Sequence, residues 1–153
     1  MHAPPDNPPP DNIVFFSPPP KPRPEPVFNL SPVTQRLGFI LAAGFVIFSY
    51  ALPFLLGEDK SFDIFYALSF VSARYTGTDP LTLAAVTAPV THMFLHGGVL
   101  HLVMNILSLM AFGGALEKMT DGRTLLLIAL TSGLAGAATQ LIVSPLSDAP
   151  MIG

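Results

Sequence analysis

Thr91-His-Met-Phe-Leu-His96-Gly-Gly-Val-Leu-His101-Leu-Val-Met-Asn105 is the stretch that decides how this chain is read. It holds three of the four histidines and an asparagine, and it leads without a charge into an apolar run ending at Leu116. Polar side chains in a segment suited to lipid are costly, so they are there for a function or a partner. His101 and Asn105 are four apart, which on a helix puts them on one face, a turn from each other. An imidazole and a carboxamide aimed at one point are the usual content of an oxyanion hole. The alternative is hydrogen bonding to neighbouring helices, typically about 0.6 kcal/mol per bond, and the spacing alone favours that alternative.

Three histidines also raise the question of zinc. His92 and His96 are four apart, but His96 to His101 is a step of five and Gly97-Gly98 interrupts the helix between them. No Asp or Glu is near enough to orient a ligand. No metal site is expected, and His92 and His96 read as structural histidines that hold a loop against the span. Ser108 has no base beside it, and Ser132 has Leu130 where a Gly-x-Ser-Gly motif needs glycine. No glycine in the chain has serine two positions on, so residues 1–153 contain no activated serine of that type.

Outward from this stretch, the composition is that of a membrane protein. Of 153 residues, 50% are hydrophobic and 11% charged, and the mean hydropathy is +0.56. A soluble domain carries about 25% charge. A net charge of -3 with no basic patch gives no reason to expect nucleic acid as a partner. Cysteine is absent, which removes disulfides, thiolate nucleophiles and Cys-ligated metals.

Three runs approach the roughly 20 apolar residues a span needs: residues 37–56, 98–116 and 124–143. The small residues Ala129, Gly133 and Ala137 recur every four positions in the third, a signal for close helix packing in a bilayer. Lys21, Arg23, Arg36, Lys118 and Arg123 lie on one side of these spans, against Lys60 and Arg74 on the other. That bias places the N-terminus and the Glu117–Arg123 turn in the cytoplasm of a multi-pass protein of the cell (inner) membrane.

The outer loop, residues 57–97, repeats Phe62, Phe65 and Leu68 at helical spacing and carries Tyr66 and Tyr75, which suits a segment dipping into the interface. Asp79-Pro80 reads as a helix start, opening a helix over 81–88 that ends before Pro89. Ahead of the spans, residues 1–33 hold twelve of the seventeen prolines and read as a disordered or polyproline-II cytoplasmic tail. Residues 34–153 form the membrane domain.

The run from Pro89 through His96 and His101 to Asn105 closely resembles the first half of the rhomboid intramembrane serine protease core. Ala111-Phe-Gly113-Gly-Ala-Leu-Glu117-Lys118 matches that family as well, and so does the order of tail, span, long outer loop and polar second span. The resemblance covers about residues 37–153. It implies an all-α membrane fold, three helices of a six-helix rhomboid-like bundle with a membrane-dipping outer loop.

It also implies a serine–histidine dyad, no cofactor, and transmembrane proteins in a lipid bilayer as substrates. In this family a serine in Gly-x-Ser-Gly, at the start of the fourth span, attacks the scissile carbonyl, and a histidine on the sixth is its base. By this likeness His101 and Asn105 stabilise the oxyanion and His96 is structural. Glu117 would tie the inner ends of the spans together, and Gly153 would be the first glycine of the serine motif. The Trp-Arg pair common in bacterial rhomboid loops is missing, and Arg74 is the only arginine of the loop. The chain stops two residues short of the expected nucleophile, so the 153 residues alone are expected to fold poorly and to be inactive. A non-proteolytic rhomboid-like protein that binds transmembrane clients is the alternative, and a complete three-helix membrane protein is a third. The sequence leaves the oligomeric state open.

Overall fold

The structure is a computed structural model, and it describes residues 31–77 and 82–153. The tail before Ser31 and the expected helix start at Asp79-Pro80 lie outside the described residues. Among the described residues three helices are long and apolar enough to cross a membrane: α1 (Pro32–Leu56), α5 (Val99–Met119) and α6 (Gly122–Val143). Between α1 and α5 lie α2 (Glu58–Leu68), the single turn α3 (Ala73–Thr76) and α4 (Leu83–Thr91), which runs on as a tight turn over His92–Phe94. The described residues are all-helical apart from one isolated antiparallel bridge between Phe70 and Met151. Phe39, Phe54 and Ile142 are 77%, 88% and 80% exposed. Side chains of this size bared along the spans are the surface that hydrocarbon covers.

Each span is longer than its apolar run. The first was expected from residue 37, yet α1 begins at Pro32, inside the stretch assigned to the tail. Ser31 is extended (φ -66°, ψ 146°), and Pro32 needs no helical N–H in the first turn. The free amides that follow are met from another helix: Glu117 accepts from Val33 N–H at 3.0 Å, Thr34 N–H at 2.8 Å and the Thr34 hydroxyl at 2.8 Å. α6 starts at Gly122 because Asp121 caps it, its carboxylate accepting from Thr124 N–H at 2.7 Å. Those bonds to Thr124 hold the Asp121 carboxyl below its ordinary pKa.

Two spans contain a widened, π-type turn, Ile47–Ala51 in α1 and Leu109–Gly113 in α5. The first lies directly before Pro53, whose ring crowds the carbonyl four residues back; a wider turn is one of the adjustments that relieve this.

The outer loop is a layer of short helices. α2 takes up the Phe62, Phe65, Leu68 spacing, and Phe62 stacks on Tyr66 at 6.1 Å. Arg74 closes its C-terminus, donating to the carbonyls of Tyr66 at 2.8 Å, Ala67 at 3.2 Å and Ser69 at 3.4 Å, while its guanidinium lies 4.4 Å above the Tyr66 ring.

The helix expected to stop before Pro89 does not stop there. α4 is capped by Thr82, whose hydroxyl accepts from Ala85 N–H, and it continues through Pro89 to Thr91. Pro89 cannot donate to the Ala85 carbonyl. The Tyr75 hydroxyl donates to that carbonyl instead, at 2.5 Å. Proline marks a helix stop in the sequence because a donor arriving from another element leaves no local sign.

Candidate active site

Tyr66 to Thr76 of the loop are clasped to the segment after α6. Phe70 and Met151 exchange both backbone bonds, at 3.1 and 2.8 Å. Ala73 N–H donates to the Ser147 carbonyl, the Thr76 hydroxyl to that of Pro145 and the Tyr66 hydroxyl to that of Asp148. Phe70 is 2% exposed; its ring stacks on Tyr75 at 4.9 Å and lies 6.0 Å from His92. The clasp delivers Gly153 to the turn after α4, where its N–H donates to the His92 carbonyl at 2.8 Å and to that of Leu95 at 3.1 Å. A Cβ at Gly153 would come within 2.5 Å of the Met93 carbonyl oxygen and 2.7 Å of its carbon. Backbone on both sides of that contact leaves room for glycine alone.

Beneath this turn is a cavity of about 640 Å³ between α1, α5 and α6. His92, His96, Asn105, Ser132, Gly133 and Gly153 are on its wall, among mostly apolar neighbours. His101 does not line it; its ring meets the His96 ring edge-on at 5.3 Å. Asn105 thus faces the space beside Gly153, and His101 adjoins it through His96. The one side-chain to side-chain hydrogen bond among the described residues joins Thr34 to Glu117. Among the described residues, His101 and Asn105 make no hydrogen bond to a side chain of another span.

His92 and His96 are 2% and 4% exposed, and among the described residues none of their four ring nitrogens has a hydrogen-bond partner. The carbonyls of Pro89 and Gly133 come near the His92 ring without reaching hydrogen-bond geometry. Burial lowers the pKa of His92 below the ordinary 6.5 against the pull of those carbonyls. Burial also lowers His96, assisted by the neighbouring His101 and opposed by the Phe94 carbonyl. Both imidazoles are neutral at pH 7 and sit as packed rings under the loop. Ser132 is on the same wall, but neither buried histidine is bonded to it.

At the opposite end of the spans, Glu117 joins the start of α1 to the end of α5, and Gly122 opens α6 so close to Val33 that a Cβ there would overlap its side chain. Three residues with structural weight were not singled out from the sequence. In the sequence Tyr75 reads only as an interfacial aromatic, Arg74 only as the lone loop arginine, and Met93 carries no signal of its own. Their partners are backbone groups 5 to 10 residues away for Arg74 and Tyr75, and for Met93 a glycine 40 positions on. No periodicity signals such contacts.

The Rhomboid domain family model matches residues 84–153. No curated protein matches the chain. Over α4, α5, α6 and the segment reaching Gly153, the chain carries a Rhomboid domain.

Proposed function

We propose that this chain forms the oxyanion-binding and scaffolding part of a rhomboid-type intramembrane serine endopeptidase, which cleaves peptide bonds in or near the transmembrane segments of membrane proteins. The observation that carries this reading is the convergence at one cavity: Asn105 and Gly153 share its wall, and His101 adjoins it through His96. Asn105 and His101 act as donors to the oxygen that gains charge when the scissile carbonyl is attacked. The clasp from the outer loop holds Gly153 where the following residues of a Gly-x-Ser-Gly motif would carry the nucleophile past those donors. A histidine base from a later span completes the dyad, and no cofactor takes part.

The outer loop dips into the interface, and the end of α4 with the turn after it contributes Val90, His92 and Met93 to the cavity wall. The N-terminus and the Glu117–Arg123 turn are cytoplasmic, in keeping with the five-to-two bias of Lys and Arg.

The test is cleavage of a fluorogenic transmembrane substrate by the full-length protein in liposomes. His101→Ala and Asn105→Ala should each lower kcat by about 10²–10³-fold, the cost of one oxyanion donor. Residues 1–153 alone should show no turnover, since they hold no serine of the required motif. Full activity in the doubly substituted protein would overturn the assignment. Tight binding of the substrate without cleavage by the unaltered protein would favour a client-binding role.

A further inference from the structure

Met93 has no role in the chemistry described so far, yet it touches both sides of the cavity. Its side chain occupies the notch left by the missing Cβ of Gly133 on α6: an added carbon there would overlap Sδ and come within 2.6 Å of Cε and 2.8 Å of Cγ. Its backbone is the surface on which Gly153 rests, with the carbonyl oxygen, carbonyl carbon and Cα all within 2.9 Å of where a Gly153 Cβ would stand. The two carbonyls that hold the Gly153 N–H belong to His92 and Leu95, on either side of Met93. Two glycines 20 positions apart thus close on one residue from opposite directions, one on its side chain and one on its main chain.

Packing of this kind fixes position. A turn of three residues after a proline-containing helix has little of its own to hold it. An unbranched thioether adapts to an irregular notch. Seated in Gly133, it prevents the His92–Leu95 turn from sliding along α6. Since Gly153 is bonded to that same turn, its place on the cavity wall it shares with Asn105 is set by the same contact.

Resting on the protease reading above, we propose that Met93 is a positioning residue: its side chain, socketed at Gly133, sets where Gly153 and the nucleophile that follows it stand relative to the oxyanion donors. Displacing a reacting group by about 1 Å costs on the order of 10²-fold in rate. Removal of the peg should therefore act on kcat and leave substrate binding alone.

The experiment uses the full-length protein in nanodiscs, with Met93→Ala, Met93→Leu and Gly133→Leu. Met93→Ala should lower kcat by at least about tenfold with KM within about twofold. Met93→Leu, which still fills the notch, should keep more than half of the activity. Gly133→Leu, which expels the peg, should reproduce the kcat loss, and adding Met93→Ala to it should restore part of the rate.

A second readout is independent of catalysis. The Gly153 amide, bonded to two carbonyls, should exchange hydrogen at least about tenfold faster in Met93→Ala, while amides in the middle of α5 and α6 keep their protection. Unchanged kcat in Met93→Ala refutes the proposal, and so does faster exchange spread evenly over the protein, the mark of general loosening. An inactive parent protein would defeat the protease reading instead. The exchange at Gly153 would then decide by itself whether Met93 seats that residue.

Discussion

Tyr75→Phe removes one oxygen atom and tests whether the loop is held as described. The Tyr75 hydroxyl donates to the Ala85 carbonyl, which lies opposite the missing N–H of Pro89. Burial raises the Tyr75 pKa despite Arg74 beside it, so the phenol keeps its proton and its donor role. Ala85 is 2% exposed, and water cannot replace the donor. An acceptor left bare in that setting costs about 1–3 kcal/mol. Pro89→Ala returns an N–H at the position that serves Ala85 in a regular helix. In that background Tyr75→Phe should cost less than about 1 kcal/mol, the net worth of an ordinary exchangeable hydrogen bond. The coupling, about 1–2 kcal/mol, lies within the range resolved by double-mutant cycles. The assay is equilibrium unfolding of the full-length protein in mixed micelles, for the four members of the cycle. Equal cost of Tyr75→Phe with proline and with alanine at 89 would refute the reasoning, because the hydroxyl would then not be serving the carbonyl that proline frees.

Three further outcomes are expected. Gly153→Ala sets a Cβ against the Met93 backbone and should destabilise the clasped segment by about 1–3 kcal/mol and, on the proposed protease function, abolish cleavage; Gly136→Ala, whose Cβ would stand 3.4 Å from the flexible tip of Met151, should be tolerated, and thermal scans of both give the comparison. Because burial depresses His92 and His96 below 6.5, the unfolded chain takes up protons first as pH falls, so stability is constant above that value and declines beneath it by up to about 1.4 kcal/mol per pH unit for each imidazole. Denaturation midpoints between pH 8 and pH 5 should show that decline, and His92→Phe should flatten it. Glu117→Ala, which strips the acceptors from Val33 and Thr34, should lower the melting temperature and speed hydrogen exchange in the first turn of α1; unchanged exchange there would show that the carboxylate is dispensable.

Much of the architecture was legible because lipid imposes a crude rule. Uncharged runs near 20 residues had to be spans, and all three are there as helices. Their ends were misplaced wherever polar residues finished the helix: Pro32 to Arg36 carry too little hydropathy to count, although Ser31-Pro32 is itself a helix-start signature. The polar cluster was legible too, since His92, His96, His101 and Asn105 are conspicuous in an apolar stretch. What spacing could not supply was their arrangement. His101 and Asn105 share a helix face, yet Asn105 lines the cavity and His101 meets His96. The course of α4 through Pro89 and the seat of Met93 were illegible for a common reason: each depends on a partner delivered by the fold and not by the neighbouring sequence.

The carboxylate at 117 has a bearing on how the protein is made. Synthesis releases α1 first, and its opening amides then have no acceptor of their own beyond solvent or headgroups. The side chain that receives them is 83 and 84 residues further on, at the far end of a helix that must itself be inserted before the two can meet. A ribosome therefore hands the membrane an unfinished first helix and completes it only after the second has crossed. Substitutions at 117 should accordingly be felt during insertion, as clearance by quality-control proteases, before they are felt in the finished fold.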